Sequence, residues 1–188
     1  LTIFLFLWNN WVSPLRVFLI PTKALPVTSV IIPYIPYYGV PAEKVVGSVY
    51  DSNVLSQDFI SQCKGTIGQV YLVMRIHNRQ SSIPIIVEIM DLATGEIVAS
   101  TNALSSQIVD GSWQPFSFQP IVGTFGKNYQ IKISAPDGDM SSTIGIMGSI
   151  MDAFPDGVAR LNGNELTGDV SFHYECIQPA FADWFRNR

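Results

Sequence analysis

Between residues 55 and 176 apolar side chains recur at every second position, the period of a strand with one buried face. In QVYLVMRIHN (69–78), Val70, Leu72, Met74 and Ile76 alternate with Tyr71, Val73, Arg75 and His77. IPIIVEIMD (83–91) sets Ile83, Ile85, Val87 and Ile89 on one face, ATGE (93–96) makes a turn, and IVAST (97–101) returns. WQPFSFQP (113–120) pairs Phe116 with Phe118, and NYQIKISA (128–135) aligns Tyr129, Ile131 and Ile133 with Lys132 outward. STIGIMGS (142–149) is a further strand, and Asn162-Gly163 inside VARLNGNEL is a strong hairpin signal. DVSFHYEC (169–176) closes the series with Val170, Phe172, Tyr174 and Cys176 on one face. Eight or nine short strands with turns every 8–12 residues, and no long helix, predict an all-β fold: an antiparallel β-sandwich over residues 50–177.

The two ends follow other patterns. Twelve of the first 20 residues are Leu, Ile, Val or Phe, although Asn9, Asn10, Pro14 and Arg16 interrupt the run. Twenty helical residues span about 30 Å, roughly a bilayer core. Residues 1–22 are therefore expected to form an N-terminal apolar membrane helix or membrane-contacting segment. Phe4, Phe6 and Phe18 would lie in lipid, with Trp8 and Trp11 in the interfacial belt. A signal remnant and a buried segment within a complex are the alternatives. LPVTSVIIPYIPYYGVP (25–41) carries no charge, and its prolines favour extended structure. Residues 23–49 are read as an extended strap in which Tyr34, Tyr37 and Tyr38 pack on the chain's own domain or on a partner. In the tail, 178–188, Phe181, Trp184 and Phe185 share one helical face beside Arg186. A helix this short does not hold alone in water, so the tail is expected to dock.

Composition sharpens the picture. Charged residues make up 14% of the 188, against about 25% in ordinary soluble domains. Residues 1–42 hold only Arg16 and Lys23, and six of the twelve prolines fall there. Part of the surface is thus expected to face lipid or protein. A net charge of −4 without a basic stripe argues against nucleic acid.

Five segments carry a likeness to known proteins: QDF (57–59), SWQPFSFQPI (112–121), GKNYQIKISAP (126–136), FPDGVARLNG (154–163) and GDVSFHYE (168–175). Over residues 50–176 the chain resembles an extracytoplasmic jelly-roll module of bacterial cell-envelope proteins. It is similar to domains appended to membrane glycosyltransferases and, more loosely, to carbohydrate-binding jelly rolls. The resemblance implies a jelly roll outside the cytoplasmic membrane, with Gln57 and Phe59 at its start and Gly168-Asp169 before its last strand. It supplies no catalytic residues. Phe154-Pro155-Asp156-Gly157 stands where that group tends to have Tyr-Pro-Gly-Gly, so the turn is expected without the Tyr hydroxyl.

Cys63 and Cys176 are the only cysteines. Cys63 shares a strand face with Phe59, and Cys176 with Phe172 and Tyr174. The resemblance implies a jelly roll whose first and last strands are neighbours, so the two are expected either as a disulfide in an oxidising compartment or as two free buried thiols. His77 and His173 fall on outward faces and read as surface residues. No zinc, haem or nucleophile-elbow motif is present, and no cofactor is expected. Loop acids at 137–140 with Asp152, Asp156 and Asp169 are candidate ligands for a structural calcium. Trp113, with Tyr71 second, is the candidate glycan platform, against a plain role for Trp113 in packing the sheet edge.

These features predict a non-catalytic accessory subunit of an integral-membrane complex, in contact with membrane subunits and the lipid bilayer. Its sandwich is expected on the extracytoplasmic side. The alternative is a carbohydrate-binding module of the cell envelope.

Overall fold

The computed structural model describes residues 42–78 and 82–177. The membrane-contacting residues Phe4, Phe6, Trp8, Trp11 and Phe18 lie outside this range. So do the strap tyrosines 34, 37 and 38 and the tail residues Phe181, Trp184, Phe185 and Arg186. Among the described residues no helix is long and apolar enough to cross a membrane.

The described part is all-β, two antiparallel sheets of six strands each. The strands are β1 (Lys44–Val49), β2 (Val54–Ile60), β3 (Thr66–Ile76), β4 (Pro84–Asp91), β5 (Glu96–Leu104) and β6 (Trp113–Val122). There follow β7 (Asn128–Ser134), β8 (Ile144–Ser149), β9 (Ala159–Leu161), β10 (Asn164–Glu165), β11 (Asp169–Val170) and β12 (Phe172–Ile177). One sheet runs β10-β9-β2-β7-β4-β5. The other runs β1-β8-β3, with β12 and β6 also paired to β3 and β11 to β8. Residues 70–72 of β3 pair with β12 and with β6 at once, so those two strands hold opposite edges. Beyond Val73 the β6 edge is taken by the 110–112 turn, where Gly111 N–H donates to the Met74 carbonyl. β8 therefore follows β12 along the other edge, opposite Met74–Ile76.

The period-two pattern becomes the core directly. Val70, Leu72, Met74, Ile85, Val87, Ile131, Ile133, Phe172 and Tyr174 are all fully buried between the sheets. Phe59 sits at the aromatic centre, its ring 5.2 Å from Phe172, 5.6 Å from Tyr174 and 5.8 Å from Tyr129. The Asn162-Gly163 hairpin joins β9 to β10 with both residues at positive φ, 53° and 81°, as a two-residue primed turn requires. The Asn162 side chain ties this turn to β2 by accepting from Val54 N–H at 2.9 Å and donating to Asn53 Oδ1 at 2.7 Å.

One boundary moves. Lys44–Val49, placed in the strap by its Pro-rich context, is strand β1 and pairs along β8. The sandwich thus begins before residue 50. A bulge between Val45 and Gly47 breaks the alternation that marks the other strands. A Cβ at Gly47 would stand 2.7 Å from Leu55 Cδ1, so a larger residue there would have to displace the buried Leu55 side chain.

Candidate functional site

Cys63 and Cys176 form a disulfide, with Cα atoms 5.5 Å apart and a sequence separation of 113. It ties the β2–β3 loop to the end of β12. The same loop is held by Tyr174, whose hydroxyl accepts from Gln62 N–H at 2.8 Å, and by Thr124, whose hydroxyl donates to the Cys63 carbonyl at 3.0 Å.

A second internal fixture joins three of the five segments quoted for the likeness, 57–59, 154–163 and 168–175. Gln57, fully buried, donates through Nε2 to Asp169 Oδ1 at 3.1 Å and accepts from Val170 N–H at 2.9 Å. Asp169 Oδ2 accepts from the backbone N–H groups of Ala153 and Phe154, at 2.6 and 2.9 Å. Phe154 then stacks on Phe172 with ring centroids 5.0 Å apart. The Phe154–Gly157 turn closes as expected, Gly157 N–H donating to the Phe154 carbonyl at 2.9 Å. Asp169 is therefore committed to the fold. Asp139 is held by Ser141 and Ser142, whose hydrogen bonds keep its carboxyl below the usual range. Among the described residues no three metal-ligating side chains come together, so the candidate calcium acids are not assembled.

What the fold does assemble lies on the outer face of β6, β3 and β12. Outward positions fall in register: Trp113 opposite Val73, Pro115 opposite Tyr71 opposite His173, and Ser117 opposite Gln69 opposite Glu175. The Tyr71 and His173 rings stack with centroids 4.3 Å apart and planes 17° from parallel. Trp113 starts one strand further away, yet its ring centroid is 4.6 Å from that of His173, with planes at 61°. Val73, the register partner of Trp113 on this face, is buried. Trp113 itself stays 44% exposed.

A polar row borders these rings. Tyr71 hydroxyl donates to Gln69 Oε1 at 2.7 Å, and Gln69 Nε2 donates to Ser117 Oγ at 2.8 Å. Burial raises the Tyr71 pKa, and the Glu175 charge adds to the rise. Burial beneath the neighbouring rings lowers the pKa of His173, so its imidazole is neutral near pH 7.

The two proposed platform residues, Trp113 and Tyr71, are thus in one cluster, joined through His173. Trp113 packs edge-on against His173 and stays exposed. His173 is half-buried inside the cluster, a correction to its reading as a plain surface residue. His77 is exposed and takes no part. Outward parity was visible for both histidines; only the β3–β12 register, Tyr71 against His173, separates them. Chemically the surface offers an aromatic face, amide and hydroxyl groups and one carboxylate. Comparison with protein families and with curated proteins finds no match to this chain.

Proposed function

We propose that the chain is a non-catalytic accessory subunit of an integral-membrane complex, with its sandwich on the extracytoplasmic side. The observation that carries this reading is the Cys63–Cys176 disulfide. Such bonds persist in oxidising compartments and are rare in reducing ones. We also infer a jelly roll. The strand orders β1-β8-β3-β6 and β2-β7-β4-β5 are those of a hairpin folded over twice across two sheets. Support for the membrane partner comes from the sequence: the apolar stretch 1–22, the uncharged run 25–41 and the aromatic tail together offer more apolar surface than one small domain covers. The sandwich would then be a rigid part held beside membrane subunits and the bilayer.

The test is purification of the tagged chain from native membranes in mild detergent, with bound proteins identified by mass. Integral-membrane subunits in fixed stoichiometry are expected. A detergent-free, monodisperse monomer with unremarkable surface hydrophobicity defeats the proposal. Protease added to intact cells is expected to reach the 137–143 loop; protection until lysis would place the sandwich on the wrong side.

A further inference from the structure

We propose that the disulfide end of the sandwich is the end laid against the bilayer, with Phe125 and Val122 as its apolar contacts and Lys64 and Lys127 reaching the headgroups. This rests on the membrane reading above and deepens it by naming the surface that meets lipid.

The loops gather at two ends. At the disulfide end the β2–β3 loop, the β4–β5 turn, the β6–β7 turn and the end of β12 come together. Thr66 stands between Val122 and Ile177 in register, Ser61 N–H donates to the Lys127 carbonyl, and Leu92 N–H donates to the Asn128 carbonyl. At the opposite end Asp51 N–H donates to the Gly138 carbonyl, Gly111 N–H to the Met74 carbonyl and His77 N–H to the Thr143 carbonyl. These bonds join the loops around 50–53, 105–112 and 135–143.

The first argument is the tip of the β6–β7 turn. Phe125 is 56% exposed and Val122 69%. Gly123 and Gly126, at φ 64° and 73°, let the chain turn tightly on either side of Phe125. The turn is braced from below: Gly126 N–H donates to the Ser61 carbonyl at 2.8 Å, and the Thr124 hydroxyl donates to the carbonyl of disulfide-bonded Cys63. Two lysines flank the tip. Lys64 Nζ lies 5.3 Å from the centre of the Phe125 ring, and the half-exposed Lys127 touches Asp91 only at 4.0 Å. An apolar tip between cations suits the bilayer interface, where ring and aliphatic groups take the acyl boundary and lysine stems reach out to anionic headgroups. A convex tip of two apolar residues falls well short of a stable protein interface, which takes about 800 Å² from each partner.

The second argument is the reach of the chain. β12 ends with Ile177 at the disulfide end. Phe185 follows eight residues later, at most about 29 Å of fully extended chain, whereas β3 alone spans about 35 Å. Phe181, Trp184 and Phe185 therefore cannot reach the opposite end in any conformation. β1 also starts from the disulfide side, since its last residue, Val49, pairs with Ile144, and Ile144 pairs with Ile76 at the far end of β3. The chain thus enters and leaves the sandwich on the side of the lysine-flanked tip.

The third argument is charge. The opposite end carries Asp51, Asp110, Asp137 and Asp139, and its Arg75 is already paired with Asp110 at 3.2 Å. Hydrogen bonds from Ser141 and Ser142 keep Asp139 ionised. Val109 and Met140 are exposed there too, but they stand among these carboxylates. Pressing that end onto a bilayer would strip water from carboxylates facing anionic headgroups.

The experiment uses the full chain reconstituted into vesicles of phosphatidylcholine and phosphatidylglycerol, with or without bromine on the acyl chains. A single cysteine is introduced as Val122→Cys, Phe125→Cys or Met140→Cys and carries an environment-sensitive fluorophore. Labelling without reductant leaves the buried Cys63–Cys176 bond intact. Brominated lipid is expected to quench the labels at 122 and 125 by at least half and to leave the label at 140 unchanged. In the Val122→Cys protein, Lys64→Gln and Lys127→Gln are each expected to lower the ratio of docked to undocked ends about fivefold, and Phe125→Asp to abolish the quenching. All of these side chains are exposed, so the melting temperature is expected to hold in each variant. No quenching at 122 and 125, or equal quenching at 140, overturns the inference. So does a blue-shifted label at 125 that lipid does not quench, the mark of the tail or a second copy covering the tip. The accessory role is judged separately by the membrane purification, which does not read orientation: co-purified membrane subunits with unquenched labels at 122 and 125 sink this inference alone.

Discussion

Breaking the Cys63–Cys176 bond is the sharpest perturbation available. The bond closes a loop of 113 residues, and in the chain-entropy model its loss frees the unfolded chain by about 4.8 kcal/mol at 25 °C. Native disulfides in small domains are measured at about 2–5 kcal/mol, so the model value stands near the upper end. Unfolding entropy of about 2.1 cal/mol/K per residue, over the roughly 130 residues between Lys44 and Ile177, gives about 0.27 kcal/mol per degree. The melting temperature is then expected to fall by about 7–18 °C on reduction. Both cysteines are fully buried, so reduction needs partial unfolding, followed by refolding with reductant present. Cys63→Ala/Cys176→Ala is the parallel variant, expected to fall somewhat further because removing two buried sulfurs also leaves a cavity. Thermal denaturation by circular dichroism reads the shift, and thiol titration of the unfolded, unreduced protein reads the bond itself. Two free thiols in that titration, or oxidised and reduced forms melting within about 3 °C, would refute the reasoning and remove the main support for an oxidising compartment.

Asp169→Asn replaces an acceptor of three hydrogen bonds by an amide that must turn a donor towards Ala153, Phe154 or Gln57; a loss of about 2–4 kcal/mol is expected in urea unfolding. Gly157→Ala places a Cβ 2.2 Å from the Asp58 carbonyl oxygen, and the forced backbone shift is expected to cost about 1–3 kcal/mol. Burial lowers the folded pKa of His173 below the value of about 6.5 expected when unfolded. The unfolded chain therefore takes up the proton first as pH falls. This contribution to stability is complete above about pH 6.5 and is lost as pH drops through 6.5 towards the folded pKa. His173→Gln is expected to flatten that part of the melting-temperature profile between pH 8 and 5, and an unchanged slope would count against the buried, neutral imidazole.

Most of the fold was legible because a strand buried on one face writes its geometry into the sequence. Val70, Leu72 and Met74, and Val170, Phe172, Tyr174 and Cys176, are buried as their spacing requires. β1 was missed for a physical reason. Its bulge at Val45–Gly47 spoils the alternation, and the neighbouring Pro/Tyr run made the segment look continuous with the strap. β9, β10 and β11, at two or three residues each, are too short to show any period.

The outer-face site was legible only in pieces, and the missing information has one source. Parity says which way Tyr71, Trp113 and His173 point, but each sits on a different strand, separated by 42 and 60 positions. Their meeting depends on two registers, Tyr71 against His173 and Val73 against Trp113. A slip of one residue in either would turn one partner into the core and leave the others unmatched. The registers are set from inside the sandwich, because Val70, Leu72, Phe116, Phe172 and Tyr174 must all bury at once. The core thus fixes the spacing of the outer-face ring cluster it does not touch. A substitution that loosens packing beneath β12, Phe172→Ala being the plainest, therefore acts on the ring cluster through register, and should disturb the Tyr71–His173 stack more than Trp113→Ala disturbs the core.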